Sequence, residues 1–167
     1  TDNDNWAYRQ WFEKGLHNLR HQAIERTLVQ PSPKDGNILQ LIYTIVSQAP
    51  NAAVIEGGNS GRYSIKELTD HPFGPDDFKF ITSQIWTVYP DGSIELQSSI
   101  TSNDASLVLA RLGYSMQVPS ALQQYTYYGR GPWNNYNDRH TGAFIEMYQS
   151  SVKEQFINFP KPQSMGN

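Results

Sequence analysis

The 167-residue sequence predicts a mainly β protein, an antiparallel β-sandwich opened by one short N-terminal helix. Three observations carry that expectation. Only the first stretch of the chain shows a helical period, with Tyr8, Trp11, Phe12 and Leu16 spaced to share one helix face. From Ile38 onward the apolar residues recur with a period of two. The strand-like runs are separated by turn residues rather than by helical patterns, which favours antiparallel over parallel pairing.

Each element has a local signal. Asp4 or Asn5 can cap the helix and Gly15 stops it. Ile38 to Val46 is apolar on both faces, which suits a central strand, and Pro50 closes it. Phe78 to Tyr89 and Ser93 to Thr101 form a hairpin around Pro90-Asp91-Gly92, its return strand alternating Ile94, Leu96, Ser98 and Ile100 against Glu95, Gln97, Ser99 and Thr101. One face of that hairpin is expected to be buried and the other wet, with Phe80 and Trp86 in the core. Further strands are expected over Leu107 to Val118, Gln124 to Tyr128 and Ala143 to Ser150. Ala49 to Gly61 and Asp70 to Asp77, rich in Gly, Pro, Asn and Asp, read as loops.

Composition narrows the function classes. A net charge of -3 with 17% charged residues supplies neither a basic stripe for nucleic acid nor an acidic tail. No apolar run approaches the roughly 18 residues of a membrane span, so neither nucleic acid nor membrane is an expected partner. The absence of cysteine excludes a disulfide framework and cysteine metal sites, and leaves the cytoplasm and the periplasm both open. His17, His21, His71 and His140 show no metal-ligand spacing, so no metal and no cofactor is expected on this chain. Most of the sixteen acidic residues, among them Asp35, Asp70, Asp76, Asp77, Asp91 and Asp104, fall in turn-like or wet positions and read as solvated surface groups.

The richest segment is Tyr127-Tyr-Gly-Arg-Gly-Pro-Trp-Asn-Asn-Tyr-Asn-Asp-Arg139. Its glycines, proline and asparagines rule out a helix and a plain strand, and it reads as the end of a strand entering a structured polar loop. Together with Ala110-Arg-Leu-Gly113 and Pro162-Gln-Ser-Met-Gly166 it resembles the C-terminal β-sandwich (small-chain) domain of family 2 glycoside hydrolase β-galactosidases. Asn134 and Ser164 depart from that pattern, each standing where the family usually has an acid. The opening Thr1-Asp-Asn-Asp4 is similar to the family's Asp-Asn-Asp segment, so the chain is expected to start and stop inside that domain, as a single, truncated unit over 1–167.

The resemblance implies a supersandwich fold like that of galactose mutarotase and a share in hydrolysing terminal β-galactosides. It places the catalytic carboxylates, which a retaining glycosidase holds about 5 Å apart, on a separate (β/α)8 barrel, leaving this chain to support the barrel and the active-site mouth. Catalytic residues on this chain are therefore none. Expected partners are the remaining domains of the parent enzyme, a galactoside substrate and, because strands that complete the sandwich would lie outside, a second copy in a homo-oligomer.

Two roles are weighed for the polar loop. Sugars stack their C–H faces on aromatic rings and offer hydroxyls to carboxylates and amides, so Trp133 with Asn134, Asn135, Tyr136 and Asp138 suits a saccharide surface. Arg130, Asp138 and Arg139 equally suit a fold-locking role, satisfying loop carbonyls and amides. The substrate-proximal candidates are Asp2, Asn3, Asp4 and Trp133, and the loop-locking candidates Arg130, Asp138 and Arg139. Two other classes stay open: a free-standing carbohydrate-binding module, which needs an exposed aromatic platform, and an aldose-epimerase-like sandwich, which needs His71, His140 and Glu146 to converge.

Overall fold

The computed structural model describes residues 5–57, 63–109, 111–136 and 138–155, with side chains excepted at 5, 6, 54–57 and 63–71. The described residues up to 109 form one compact unit and those from 111 onward a second. Apart from one nine-residue helix, both are built of antiparallel strands, with no closed barrel among the described residues, as expected for a β-sandwich.

In the first unit, helix α1 (Asn5–Glu13) is followed by a 3-10 turn over Leu16–Asn18. Its apolar face behaves as the spacing predicts. The Tyr8 and Phe12 rings meet at 4.5 Å between centroids, and Phe12 lies 4.7 Å from the His17 ring. Gly15 ends the helix at φ 73, a left-handed conformation that costs any residue with a Cβ. A Cβ there would also run into the Ala49 side chain, so the glycine is required twice. Beyond it Lys14 Nζ pairs with Asp104 Oδ2 at 2.9 Å, and Trp11 Nε1 donates to the Val108 carbonyl at 2.7 Å. The expected Asp4 cap lies outside the described residues.

Strands β1 (Arg20–Val29), β2 (Leu39–Gln48), β5 (Phe80–Val88) and β6 (Ile94–Ser102) form a four-stranded sheet in the order β1-β2-β5-β6, while β3 (Asn51–Gly57) and β4 (Tyr63–Pro72) pair separately. Register defines the apolar face of the larger sheet. Leu41 stands between Leu28 and Trp86, Trp86 is paired in turn with Leu96, and Ile45 stands between Ala23 and Thr82, itself opposite Ile100. Phe80 on that face is buried and meets buried Phe78 edge-on at 5.0 Å. The central position expected for β2 is observed, flanked by β1 and β5.

The β5–β6 hairpin closes at the predicted turn. Gly92 takes φ 87, and Asp91 Oδ1 accepts from the Ser93 amide at 2.8 Å and its hydroxyl at 2.7 Å. Burial along β6 is shallower than expected: Leu96 and Ile100 are half-buried while Ile94 is exposed, and Trp86, expected in the core, is half-buried. The chain after β4 is held by side chains, with Asn103 Nδ2 donating to the Asp77 carbonyl at 2.9 Å and Gln48 Nε2 to the Gly74 carbonyl at 2.9 Å.

Three expectations are corrected. The strand β1 was not foreseen, because its charged residues and the bulge between Ala23 and Glu25 break the period of two on an exposed edge. The stretches read as loops, Ala49 to Gly61 and Asp70 to Asp77, contain all of β3 and the last residues of β4; pairing between the two strands overrides weak local propensity. Conversely, Leu107 to Val118, expected as a strand, has no strand pairing among its described residues and is irregular. Its alternation of Leu112, Tyr114, Met116 and Val118 is genuine, but all four are exposed.

Candidate functional site

The second unit is a hairpin of β7 (Gln124–Gly131) and β8 (Phe144–Ser151) carrying a loop of twelve residues, 132–143. Register puts Tyr125, Tyr127, Gly129 and Gly131 on one face with Tyr148 opposite Tyr127. The three tyrosine rings form a ladder, Tyr125 on Tyr127 at 5.8 Å and Tyr127 on Tyr148 at 5.4 Å. Gly131 makes the ladder possible. A Cβ at this buried position would strike the Tyr127 hydroxyl and lie 2.9 Å from the Tyr148 ring. Thus the strand expected over Gln124 to Tyr128 continues through Gly129, Arg130 and Gly131, and only the residues after the cis Gly131–Pro132 bond leave it.

Side-chain and backbone contacts together shape the loop. Arg130 Nη1 donates to the Ala143 carbonyl at 2.9 Å, linking the two ends of the loop. Within it Tyr136 and Arg139 exchange backbone hydrogen bonds at 3.1 and 3.0 Å, and the Arg139 guanidinium sits over the Tyr136 ring at 5.0 Å. Asp138, expected to accept from Arg130, Arg139 or backbone amides, makes no hydrogen bond or ion pair with any described residue. Arg130 reaches a carbonyl and Arg139 a ring instead, and Asp138 is exposed.

Folding the loop back on itself opens a cleft of about 600 Å³ lined by Trp133, Asn134, Asp138, Arg139, His140 and Thr141. The Trp133 ring is 68% exposed. Of the candidates read from sequence, the structure therefore gathers Trp133, Asp138 and Arg139 into one cleft, while Arg130 bonds the Ala143 carbonyl and is not among the lining residues. Asp2, Asn3 and Asp4 lie outside the described residues. Thr141 was missed, and its only sequence signal is adjacency to the Asp138-Arg139-His140 run.

The epimerase-type convergence of His71, His140 and Glu146 divides three ways. His140 lines the cleft, Glu146 is exposed on β8 opposite Gly129, and the His71 side chain lies outside the described residues. Elsewhere His21 Nδ1 and Ser47 Oγ are hydrogen-bonded at 2.7 Å across β1 and β2. Among the described residues no group of three or more His, Asp or Glu side chains could hold a metal ion, and no helix is long and apolar enough to cross a membrane.

The described carboxylates whose pKa is displaced all move downward. Asp104 is drawn from 3.8 to about 2, chiefly by the Ser106 hydroxyl and then by Lys14; Asp91 is lowered by Ser93, Glu95 by Gln97 and Tyr89, and Glu154 by Ser151. These groups anchor turns and strand ends as anions.

Antiparallel strands throughout, a tyrosine ladder closed by Gly131 and a cleft in the loop that follows are consistent with a β-sandwich domain. The sequence model of the β-galactosidase small chain matches residues 1–167, and the chain belongs to that family. It is similar to the β-galactosidase of Priestia megaterium, 35% identical over 82 residues, which is 49% of this chain and 8% of the relative. The β-galactosidase of Halalkalibacterium halodurans is 32% identical over 85 residues, again 49% of this chain and 8% of the relative. A longer match, to the β-galactosidase of Lactococcus lactis, covers 92% of this chain and 17% of the relative at 22% identity. The chain thus spans a small part of the length of these relatives. No solved structure matches it.

Proposed function

We propose that the chain is the non-catalytic C-terminal sandwich domain of a β-galactosidase that hydrolyses terminal β-D-galactosides, bearing on the catalytic barrel and contributing to the carbohydrate-binding mouth. The carrying observation is the family match along the whole chain, joined to relatives named β-galactosidase of which it spans only 8 to 17%. Its partners are then the remaining domains of that enzyme and the galactoside itself.

Apolar exposure supports the partner: Tyr128, Met147 and Ile145 lie on one face of the hairpin at 73%, 65% and 53% exposure, a surface suited to burial against another domain. Asp2, Asn3, Asp4 and Trp133 are assigned to the substrate side of that assembly, and Arg130 and Arg139 to holding the loop.

The test is complementation. Purified chain alone should release no nitrophenol from a nitrophenyl β-galactoside above background, and should restore hydrolysis to a β-galactosidase lacking the corresponding residues. Turnover by the chain itself, abolished by replacing one of its carboxylates, would refute the non-catalytic assignment.

A further inference from the structure

We infer that the cleft of loop 132–143 binds the ring of one uncharged sugar, stacked on Trp133 and hydrogen-bonded through its hydroxyls to Asp138 and Asn134. The inference rests on the reading above and sharpens it by locating a sugar contact on described residues.

Four observations converge. First, Trp133 is a large ring left 68% exposed at the rim of a concave surface, although an exposed indole usually has a contact to make. Second, Asp138 lines the same cleft and makes no hydrogen bond or ion pair with any described residue, Arg130 reaching the Ala143 carbonyl and Arg139 the Tyr136 ring instead. An ionised carboxylate has several acceptor positions, which suit vicinal hydroxyls. The half-buried Asn134 amide offers a donor and an acceptor beside it.

Third, charge selects the ligand. The lining carries one acid, Asp138, and one base, Arg139, so its formal charges cancel and it favours neither an anion nor a cation over a neutral polyol. Fourth, the loop is shaped without a ligand. The Arg130 bond to Ala143 and the paired backbone bonds of Tyr136 and Arg139 hold its course, so little ordering is left to oppose binding. At about 600 Å³ the cleft lies within the range of small-molecule sites and has room for a hexose ring.

The experiment titrates the 167-residue chain with methyl β-galactoside and follows the indole N–H of Trp133 and the backbone amides from Asp138 to Ala143 by two-dimensional NMR. Saturable shifts confined to this loop are expected, with binding about tenfold weaker in Asp138→Asn, the loss of one hydroxyl acceptor at roughly 1.4 kcal/mol per decade. Trp133→Ala should abolish the shifts. Both side chains face solvent, and unchanged β7–β8 amide positions in each variant show that the fold is kept.

Galacturonate should bind more weakly than the neutral glycoside, and glycerol should not saturate. Absent saturation with methyl β-galactoside, affinity untouched by both variants, or equal response to glycerol would each overturn the site. Complementation separates the two proposals. A chain that restores hydrolysis yet binds no sugar loses only this site, while a chain that binds sugar yet restores nothing keeps the site and loses the enzyme reading.

Discussion

The four-stranded sheet and the β7–β8 hairpin reach stability by different means. In the sheet, β2 is flanked by strands on both sides, and the loop after β4 is held by the Asn103 and Gln48 side chains. The hairpin has two strands and exposes residues on both faces, Tyr128 and Met147 on one and Phe144 on the other. Two strands alone are marginal in water. What the hairpin has instead is specific: a tyrosine ladder, a glycine that admits it, and one arginine joining the loop ends. An alternating pattern chooses which face is apolar, while the number of neighbouring strands decides how much of that face is covered.

The largest effect is expected in the sheet unit. Gly15→Ala imposes a left-handed φ on a residue with a Cβ and drives that atom into the Ala49 side chain, so it should cost about 3 kcal/mol from the combined strain and overpacking. A denaturant titration measures it. A shift below half that size would mean that the end of α1 is not seated as described.

Gly131→Ala probes the hairpin. Its Cβ must displace the Tyr127 hydroxyl and the Tyr148 ring, at a cost of about 1 to 3 kcal/mol. Hydrogen exchange should show faster exchange of β7 and β8 amides with β5 and β6 amides unchanged. Parallel loss of protection in both would break the comparison, because the two units would then unfold as one.

The smallest effect concerns acid. Asp104 has its pKa lowered from 3.8 to about 2, first by the Ser106 hydroxyl, with Lys14 adding to the shift. A depressed folded-state pKa stabilises fully above 3.8 and ceases to do so as pH falls through about 2. Melting temperature should therefore fall more steeply between pH 4 and pH 2 in the parent than in Asp104→Asn, and identical slopes would mean that Ser106 and Lys14 do not hold the Asp104 carboxylate as described.

Much was decided by the chain locally. The amphipathic spacing of Tyr8, Trp11 and Phe12, the stop at Gly15, the turn at Asp91-Gly92, the two-faced apolarity of β2 and the start of β7 at Gln124 are signals carried by adjacent residues, and the structure has each where the sequence puts it. The Gly-Arg-Gly-Pro and Asn-Asp-Arg runs also sufficed to point to the family. Tertiary structure alone decided three matters. Strand pairing made β1 and the β3–β4 pair out of residues with weak or broken alternation, and left Leu112, Tyr114, Met116 and Val118 exposed despite a clean one. Partner choice also decided Asp138: sequence proximity to Arg130 and Arg139 suggested that it would accept from one of them, but Arg130 reaches the Ala143 carbonyl and Arg139 lies over the Tyr136 ring. A hydrogen bond depends on which groups meet in space, and a local pattern fixes only which faces are available to meet.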